Sequence, residues 1–329
     1  MSKQLKPWLD FQDQVKLLQR RGMTIEDAER AEKYLRRIGY YRLSGYFHVL
    51  RQWDQGQQVL LDQFICGSDF EIVLSLYLFD KKLRFLALDA LERIETAVRV
   101  DIVHILGKRD PMAHTKPNLF HGNFAKKVNP IDGKTEHNKW LEKFNILEQR
   151  AKKRNLPLVK HNIDTYGMLP IWAASCLWDF GLMSWLFKGL KHNDKDNIAK
   201  KYGAVNGNTF SKWLNSLNEI RNIAAHHDRL WNISVSRTST PISQDQYWAR
   251  LDHTKPFFYF CIMQQMMKAL CPNSGWASRF ESLLAEFPQD NHNSKVSLKR
   301  FGLITELSKY DQNGDFTKWD LKQWDLWKR

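Results

Sequence analysis

The sequence contains few residues that break helices and few that cross-link chains. Its 329 residues include 16 glycines, 10 prolines and 4 cysteines, and both glycine and proline fall below their average usage. This scarcity favours helices over a turn-rich β architecture. The cysteines are scattered with no C-x-x-C spacing, so we expect reduced thiols of a cytoplasmic protein rather than disulfides or a zinc site. They are Cys66, Cys176, Cys261 and Cys271.

Long hydrophobic runs and several familiar catalytic motifs are also missing. No apolar run approaches the length that crosses a bilayer, and the first residues lack the apolar stretch of a signal peptide. We therefore expect no membrane association. There is no Gly-rich phosphate loop, H-E-x-x-H, G-x-S-x-G or two-metal carboxylate cluster, so we expect chemistry without a metal or cofactor. Asp311, Asn313 and Asp315 do not make a calcium loop, because Gly314 is misplaced and no glutamate closes the loop.

Acidic residues are outnumbered by basic ones. The chain has 50 lysines and arginines against 36 acidic residues, a net charge of +14. An excess this large predicts a polyanionic partner, nucleic acid first, although a basic surface that only keeps the protein soluble is the alternative. The densest positive patches lie within residues 108–160, where hydrophobic periodicity weakens. We predict that they follow RNA phosphates; they comprise Lys126, Lys127, Arg150, Lys152, Lys153, Arg154 and Lys160.

Apolar spacing predicts an all-α fold. Residues 10–53 show the pattern of two or three helices, and residues 69–107 that of one long helix with few breakers. Residues 166–190 are predicted as apolar helix, and residues 191–207 as a polar connection. A central helix is expected from about Asn208. Two more helical patterns follow, at 257–270 and 276–287.

These patterns divide the chain into three predicted parts. Residues 1–64 form an N-terminal helical region, and residues 65–271 form a helical bundle that contains the basic insertion 108–160. Residues 272–329 form a helical C-terminal extension. Within the bundle, Glu95 and Arg99 are four residues apart and are expected to form an ion pair on one helix face.

The highest density of chemically active side chains occurs at residues 219–232. If the helix continues through this stretch, Asn222 and His226 share a face and Arg221 lies on the neighbouring stripe. The Asn222 amide can then orient the His226 imidazole, and Arg221 can reach an anion beside it. A fixed cation next to a proton-transfer group suits cleavage of an RNA phosphodiester. His226 and His227 would point about 100° apart and supply a base and an acid.

Other interpretations of this cluster stay open. Arginine, asparagine and histidine at a helix end can cap carbonyls and pair with Asp228 without any catalysis. His226 is favoured as the essential histidine because of its asparagine partner, whereas His227 can instead be structural. The bare Arg-x4-His spacing carries little weight, since Arg99 and His104 repeat it without the surrounding residues.

Three sequence blocks together resemble one family. Arg221-Asn-x3-His226-His227-x-Arg229-Leu-Trp-Asn232 resembles the signature of the HEPN superfamily as it occurs in Abi-like abortive-infection proteins. Ile38-Gly-Tyr-Tyr-Arg-Leu-Ser-Gly-Tyr46 resembles the opening motif of that family. Its middle segment is similar to Leu169-Pro-Ile-Trp172 followed by Phe180-Gly-Leu-Met-Ser184.

This resemblance implies a HEPN-type helical bundle and a metal-independent endoribonuclease of bacterial anti-phage or toxin–antitoxin defence. Its catalytic residues would be Arg221, Asn222, His226 and His227, acting on a substrate whose 2′-hydroxyl attacks the phosphate. It also implies a homodimer with a composite site. A non-catalytic RNA-binding module of the same superfamily is the alternative.

Two further expectations concern contacts with RNA and the acidic residue that positions Arg221. Arg42, in the opening motif, is expected to contact phosphates beside the active site. The size of the basic segment suggests that a small non-coding RNA restrains or guides the enzyme. Cys176 stands where the family pattern has a glutamate. If that acid positions the arginine in relatives, Asp179 or Glu95 must replace it here.

Overall fold

The computed structural model describes residues 5–240, 246–288, 295–303 and 324–328. This part of the chain is mostly helical, which confirms the all-α prediction. One small sheet was not predicted, in which β1 (Arg51–Asp54) pairs antiparallel with β2 (Val59–Phe64). The helices are α1 (Phe11–Arg20), α2 (Ala28–Ile38), α3 (Tyr40–Phe47), α4 (Phe70–Gly107), α5 (Gly122–Ala125), α6 (Glu136–Lys153), α7 (Pro157–Tyr166), α8 (Ile171–Ala174), α9 (Phe180–Gly189), α10 (His192–Lys201), α11 (Gly207–Ala225), α12 (Gln246–Arg250), α13 (Pro256–Leu270) and α14 (Trp276–Ala285).

The long helix α4 is the element around which the others pack. It has 38 residues, a length of about 57 Å at 1.5 Å per residue. The Asp69 carboxylate caps its first turn by accepting from the Glu71 amide at 2.8 Å. Its apolar side chains are buried at helical spacing, against α3, α11, α13 and α14. The prediction of one long helix over residues 69–107 is confirmed.

Helix α11 carries the central motif and lies against α4, α9 and α10. It begins where the Asn206 side chain accepts from the Thr209 amide at 2.9 Å. Burial of its apolar face supplies the free energy that holds it in place, and that face consists of Phe210, Trp213, Leu214, Leu217, Ile220 and Ala224. The predicted central helix is confirmed, and its buried face turns the motif towards α4.

Two segments differ from the predictions. Residues 191–207, expected as a polar connection, contain the helix α10. This helix has few apolar side chains to hold it against the core. A bidentate ion pair between Arg109 and the buried Asp194, at 2.6 and 2.7 Å, attaches it instead. Residues 166–190 do not form one helix. A 3-10 turn at Ser175–Leu177 separates α8 from α9, and the Asp179 carboxylate starts α9 by accepting from the Leu182 amide at 2.7 Å.

The basic segment 108–160 packs into the same core as the rest of the chain. The Trp140 indole is fully buried and donates to the Leu182 carbonyl at 2.9 Å, and Phe124 and Phe144 are buried nearby. One buried apolar cluster reaches from Val15 to Trp327. The division into three parts, with 108–160 as an insertion, stays a prediction. None of the described helices has the length and apolarity that a bilayer crossing requires.

Candidate functional site

The predicted catalytic cluster lies across the C-terminal end of α11. The amide of His227 donates to the Ala224 carbonyl at 3.2 Å, and the amide of Asp228 donates to the Ile223 carbonyl at 2.9 Å. This pair of bonds is a Schellman motif, which ends a helix at a residue in the left-handed conformation. His227 is that residue, with φ +61°. Glycine is the usual occupant, because a Cβ atom raises the energy of this conformation.

This helix end changes the predicted arrangement of His227, whereas the His226 amide still donates to the Asn222 carbonyl four residues earlier, at 2.9 Å. The helix stops at Ala225, so His226 is already the C-cap and His227 leaves the helical path. Within the described chain, the predicted pair of the Asn222 and His226 side chains forms no hydrogen bond. The Asn222 amide oxygen instead accepts from Arg221 Nη1 at 3.1 Å, because the adjacent guanidinium is a charged donor and the stronger partner.

A cleft with a basic lining opens at His227. It lies between α2, α3, α4 and the end of α11, and its volume is about 470 Å³. Its lining residues within the described chain include no carboxylate, and the cations among them are Arg37, Arg42, Lys81 and Arg84. An anion in this cleft would therefore lie close to an exposed imidazole.

The opening motif reaches the central motif through Arg42. Its Nη1 donates to the backbone carbonyl of His227 at 2.8 Å, across 185 residues of sequence. The interaction holds the left-handed residue from outside its own helix. Arg42 thus lies beside the cluster, as expected, while its contact with RNA remains a prediction.

A buried carboxylate that the sequence analysis missed fixes the backbone just past the histidines. Asp80, fully buried on α4, accepts from the amides of Leu230 at 3.1 Å and Trp231 at 2.8 Å. It also accepts from the Tyr46 hydroxyl at 2.6 Å and from Arg84 at 2.5 Å. Burial raises the pKa of the Asp80 carboxyl, and Arg84 and these hydrogen bonds oppose that rise. The sequence signal that could have identified this site is the spacing of Asp80 and Arg84, four residues apart inside the apolar stripe of α4.

Arg221 faces a second acid on α4. Burial raises the pKa of the Glu95 carboxyl, while Arg99 and Arg221 lower it, so both guanidinium groups lie within electrostatic reach. Arg99 forms the predicted ion pair with Glu95, and it also donates to the Trp178 carbonyl at 2.9 Å. His104 is exposed near the end of the same helix.

Cys176, at the position where the family pattern has a glutamate, brings no negative charge to the cluster at the end of α11. Cys176 is exposed, and its thiol lies 3.6 Å from the Trp172 carbonyl. One carboxylate oxygen of Asp179 accepts the hydrogen bond that caps α9. Of the two acids proposed as replacements, Glu95 lies within electrostatic reach of Arg221, but neither forms an ion pair with Arg221 within the described chain.

The basic residues of 108–160 lie in separate places. Lys126 and Lys127 follow α5, whose Phe124 ring packs 5.8 Å from the His137 ring near the start of α6. Arg150 is exposed on the last turn of α6, about 20 Å along the helix from His137. The other basic residues of that end are Lys152, which pairs with Glu148 at 2.8 Å, and Lys153, Arg154 and, on α7, Lys160.

The described residues include no group of three or more His, Cys, Asp or Glu side chains placed to hold a metal ion. Asp311, Asn313 and Asp315 lie outside the described residues.

Comparison with known proteins identifies one family. The model of the family described as Abi-like protein matches residues 33–232. This range includes the opening motif, Asp80 and the whole cluster at the end of α11. No curated protein and no solved structure matches the chain.

Proposed function

The chain belongs to the Abi-like protein family, and on that premise we propose that it is a HEPN-type endoribonuclease of abortive-infection or toxin–antitoxin defence. The observation that carries the proposal is the position of His227. Its side chain lines a cleft with three cations that have no acidic partner within the described chain, at the end of the helix that bears Arg221 and Asn222. Cations that hold a phosphate beside a proton-transfer group are what transesterification of RNA needs.

The proposed reaction uses the 2′-hydroxyl of the substrate as its nucleophile. One histidine, His227 by its place in the cleft, removes the proton of that hydroxyl. The 2′-oxygen attacks phosphorus, the bond from phosphorus to the 5′-oxygen breaks, and the second histidine, His226, protonates the leaving oxygen. The products are a 2′,3′-cyclic phosphate and a 5′-hydroxyl. Arg221, whose Nη1 donates to the Asn222 amide oxygen, stabilises the charge that develops on the phosphoryl oxygens.

Cleavage of a labelled RNA in excess EDTA tests this proposal. Wild type is expected to cut and to leave cyclic-phosphate ends, while Arg221→Ala and His227→Asn lose at least roughly a hundredfold in rate. Arg20→Ala, an exposed arginine at the end of α1 and distant in sequence from the motif, is the matched control and should cut normally. A substrate with a single 2′-deoxyribose should resist cleavage at that position alone.

Two results would reject the ribonuclease. One is cleavage that continues at the 2′-deoxy position, since the 2′-hydroxyl would then not be the nucleophile. The other is a wild-type protein that binds RNA tightly, carries no bound nucleic acid and still does not cut. The second result would establish a non-catalytic RNA-binding module.

Control by a small non-coding RNA is the second part of the proposal. Its support is the cluster of Arg150, Lys153 and Arg154 at the end of α6, apart from the lining of the His227 cleft. Protein purified without nuclease treatment should carry RNA, seen as a high 260/280 absorbance ratio, and replacement of the three residues by alanine should release it. Full regulation in a nucleic-acid-free preparation would contradict this part alone.

A further inference from the structure

A second groove lies at the other end of α3 from Arg42. It is formed by one face of the β1–β2 hairpin, His48 and residues 295–300, and its volume is about 580 Å³. We call it the hairpin groove. Its lining carries the basic residues Arg51, Lys295 and Arg300 and one large aromatic side chain, Trp53.

The hairpin presents Trp53 to this groove. Arg51, Trp53 and Gln55 all line the groove, although the strand register is irregular between Arg51 and Trp53. Leu60 is the cross-strand partner of Trp53 and lines the groove with it. The Trp53 side chain is nevertheless 50% exposed. An indole held this way is a platform on which a planar group can stack.

Positive charge dominates around the platform. Arg51 is balanced by Asp62 at 2.7 Å, and Lys295 donates to the Arg51 carbonyl at 3.2 Å. Arg300 forms no ion pair within the described residues. Burial lowers the pKa of His48, and three cations, Arg51, Arg229 and Arg300, lower it further. The described lining of the hairpin groove includes no carboxylate, so the site favours an anion.

Arg229 connects the hairpin groove with the His227 cleft. It follows His227 by two residues and donates to the Gly45 carbonyl of α3. Arg300 is close enough to lower the pKa of Arg229. The Nε of Arg229 is buried without a hydrogen-bond partner. Arg42 in the cleft and His48 in the groove are six residues apart, about 9 Å along a helix, which roughly three stacked nucleotides would span.

We propose that the hairpin groove binds single-stranded RNA as it leaves the His227 cleft, with a phosphate at Arg300 and a base stacked on Trp53. The identity of the strand as substrate rests on the proposed nuclease function, whereas binding itself does not. Aromatic platforms beside a cationic track are how proteins hold single strands without reading their sequence. A duplex keeps its base faces stacked inside and cannot use Trp53 in this way.

Binding of a strand that cannot be cleaved tests the proposal separately from catalysis. The probe is a fluorescent single-stranded RNA of about a dozen nucleotides with 2′-O-methyl at every ribose, so no 2′-hydroxyl can attack. Fluorescence anisotropy with the full chain measures Kd across a range of salt concentrations. Trp53→Ala should raise Kd roughly 5- to 150-fold, the range that corresponds to stacking of one base, with little change in the salt slope. Arg300→Ala should lower the salt slope by about 0.7, the value for one phosphate of a single strand.

Matched controls separate these effects from general damage. Trp172 is 52% exposed, close to the value for Trp53, and Trp172→Ala should leave Kd unchanged. Trp53→Phe keeps a stacking ring and should restore most of the affinity that Trp53→Ala loses. The unfolding midpoint of each variant in urea should match that of the wild type.

Each outcome decides one of the two proposals. The hairpin groove is rejected if Trp53→Ala and Arg300→Ala bind the strand as tightly as the wild type, or if Trp53→Ala weakens binding of a matching duplex equally. If the variants lose affinity as expected but unmodified RNA is never cut, the groove stands and the nuclease fails.

Discussion

His227 occupies a backbone position that suits glycine better than histidine. Its left-handed conformation closes α11, and Arg42 binds its carbonyl from another helix. A non-glycine residue in this conformation costs about 1 kcal/mol. Strain of this kind concentrates where a side chain is needed for function, and the imidazole here lines the basic cleft.

Replacement of His227 by glycine should therefore separate stability from activity. We expect His227→Gly to raise the free energy of unfolding by about 1 kcal/mol, because the Cβ strain is relieved. His227→Asn is the control, since asparagine tolerates this conformation and should leave stability almost unchanged. Urea denaturation measures the first effect, and RNA cleavage should be lost in both variants. A destabilised glycine variant would show that the imidazole contributes packing rather than strain.

At this scale the sequence predicted which residues meet, but not how. The identities of Arg221, Asn222, His226 and His227 mark a cluster that lies at one helix end, as expected. Their orientation could not be predicted, because position 227 lacks the glycine that usually marks the left-handed end of a helix. Asp80 was missed for a similar reason. Its partners Leu230 and Trp231 contribute backbone amides, which carry no sequence signature.

Among the elements, α6 is held to the core by a buried pair of histidines. His114, in the 3-10 turn Ala113–Thr115, packs its ring 5.3 Å from Phe144, and its carbonyl accepts from His137 Nε2 at 2.8 Å. Burial lowers the pKa of His114 to about 4, and the nearby His137 adds to this effect. The neutral form is therefore the one that the folded chain stabilises.

Acid should loosen this attachment within a defined pH range. The stabilisation is present above the ordinary histidine pKa of about 6.5 and is lost as the pH falls towards 4, which amounts to about 3 kcal/mol in full. His114→Phe keeps an aromatic ring and removes the titration; the His114 Nδ1 has no hydrogen-bond partner to lose. Between pH 7 and 4.5, the variant should lose about 2 kcal/mol less unfolding free energy than the wild type. Equal losses in both proteins would contradict this assignment.

The elements that were predicted well have a periodic apolar face. α4, α11 and α13 bury side chains at helical spacing throughout, and their sequences show it. The hairpin and α10 lack such a face. The hairpin leaves Trp53 and Val59 largely exposed, and α10 depends on the Asp194–Arg109 ion pair, whose partners are 85 residues apart.

For the whole molecule, the central question is whether one copy or two complete the site. We predict a homodimer, of twice 39.0 kDa, in which the arginine and the histidine of one site come from different copies. Arg221→Ala and His227→Asn should then each be inactive alone, while their co-expression restores roughly a quarter of wild-type activity, since half the dimers are mixed and each has one intact site. Cleavage assays with light scattering measure both quantities. Dimers without restored activity would place each site within one copy.

The position of Asp80 also affects the order of events during synthesis. Its amide partners Leu230 and Trp231 are made 150 and 151 residues later, a delay of roughly 8–30 s at usual translation rates. Until they emerge from the ribosome, Asp80 has neither of the backbone amides that it binds in the folded chain. The backbone past the histidines is therefore fixed only after most of the chain has been made.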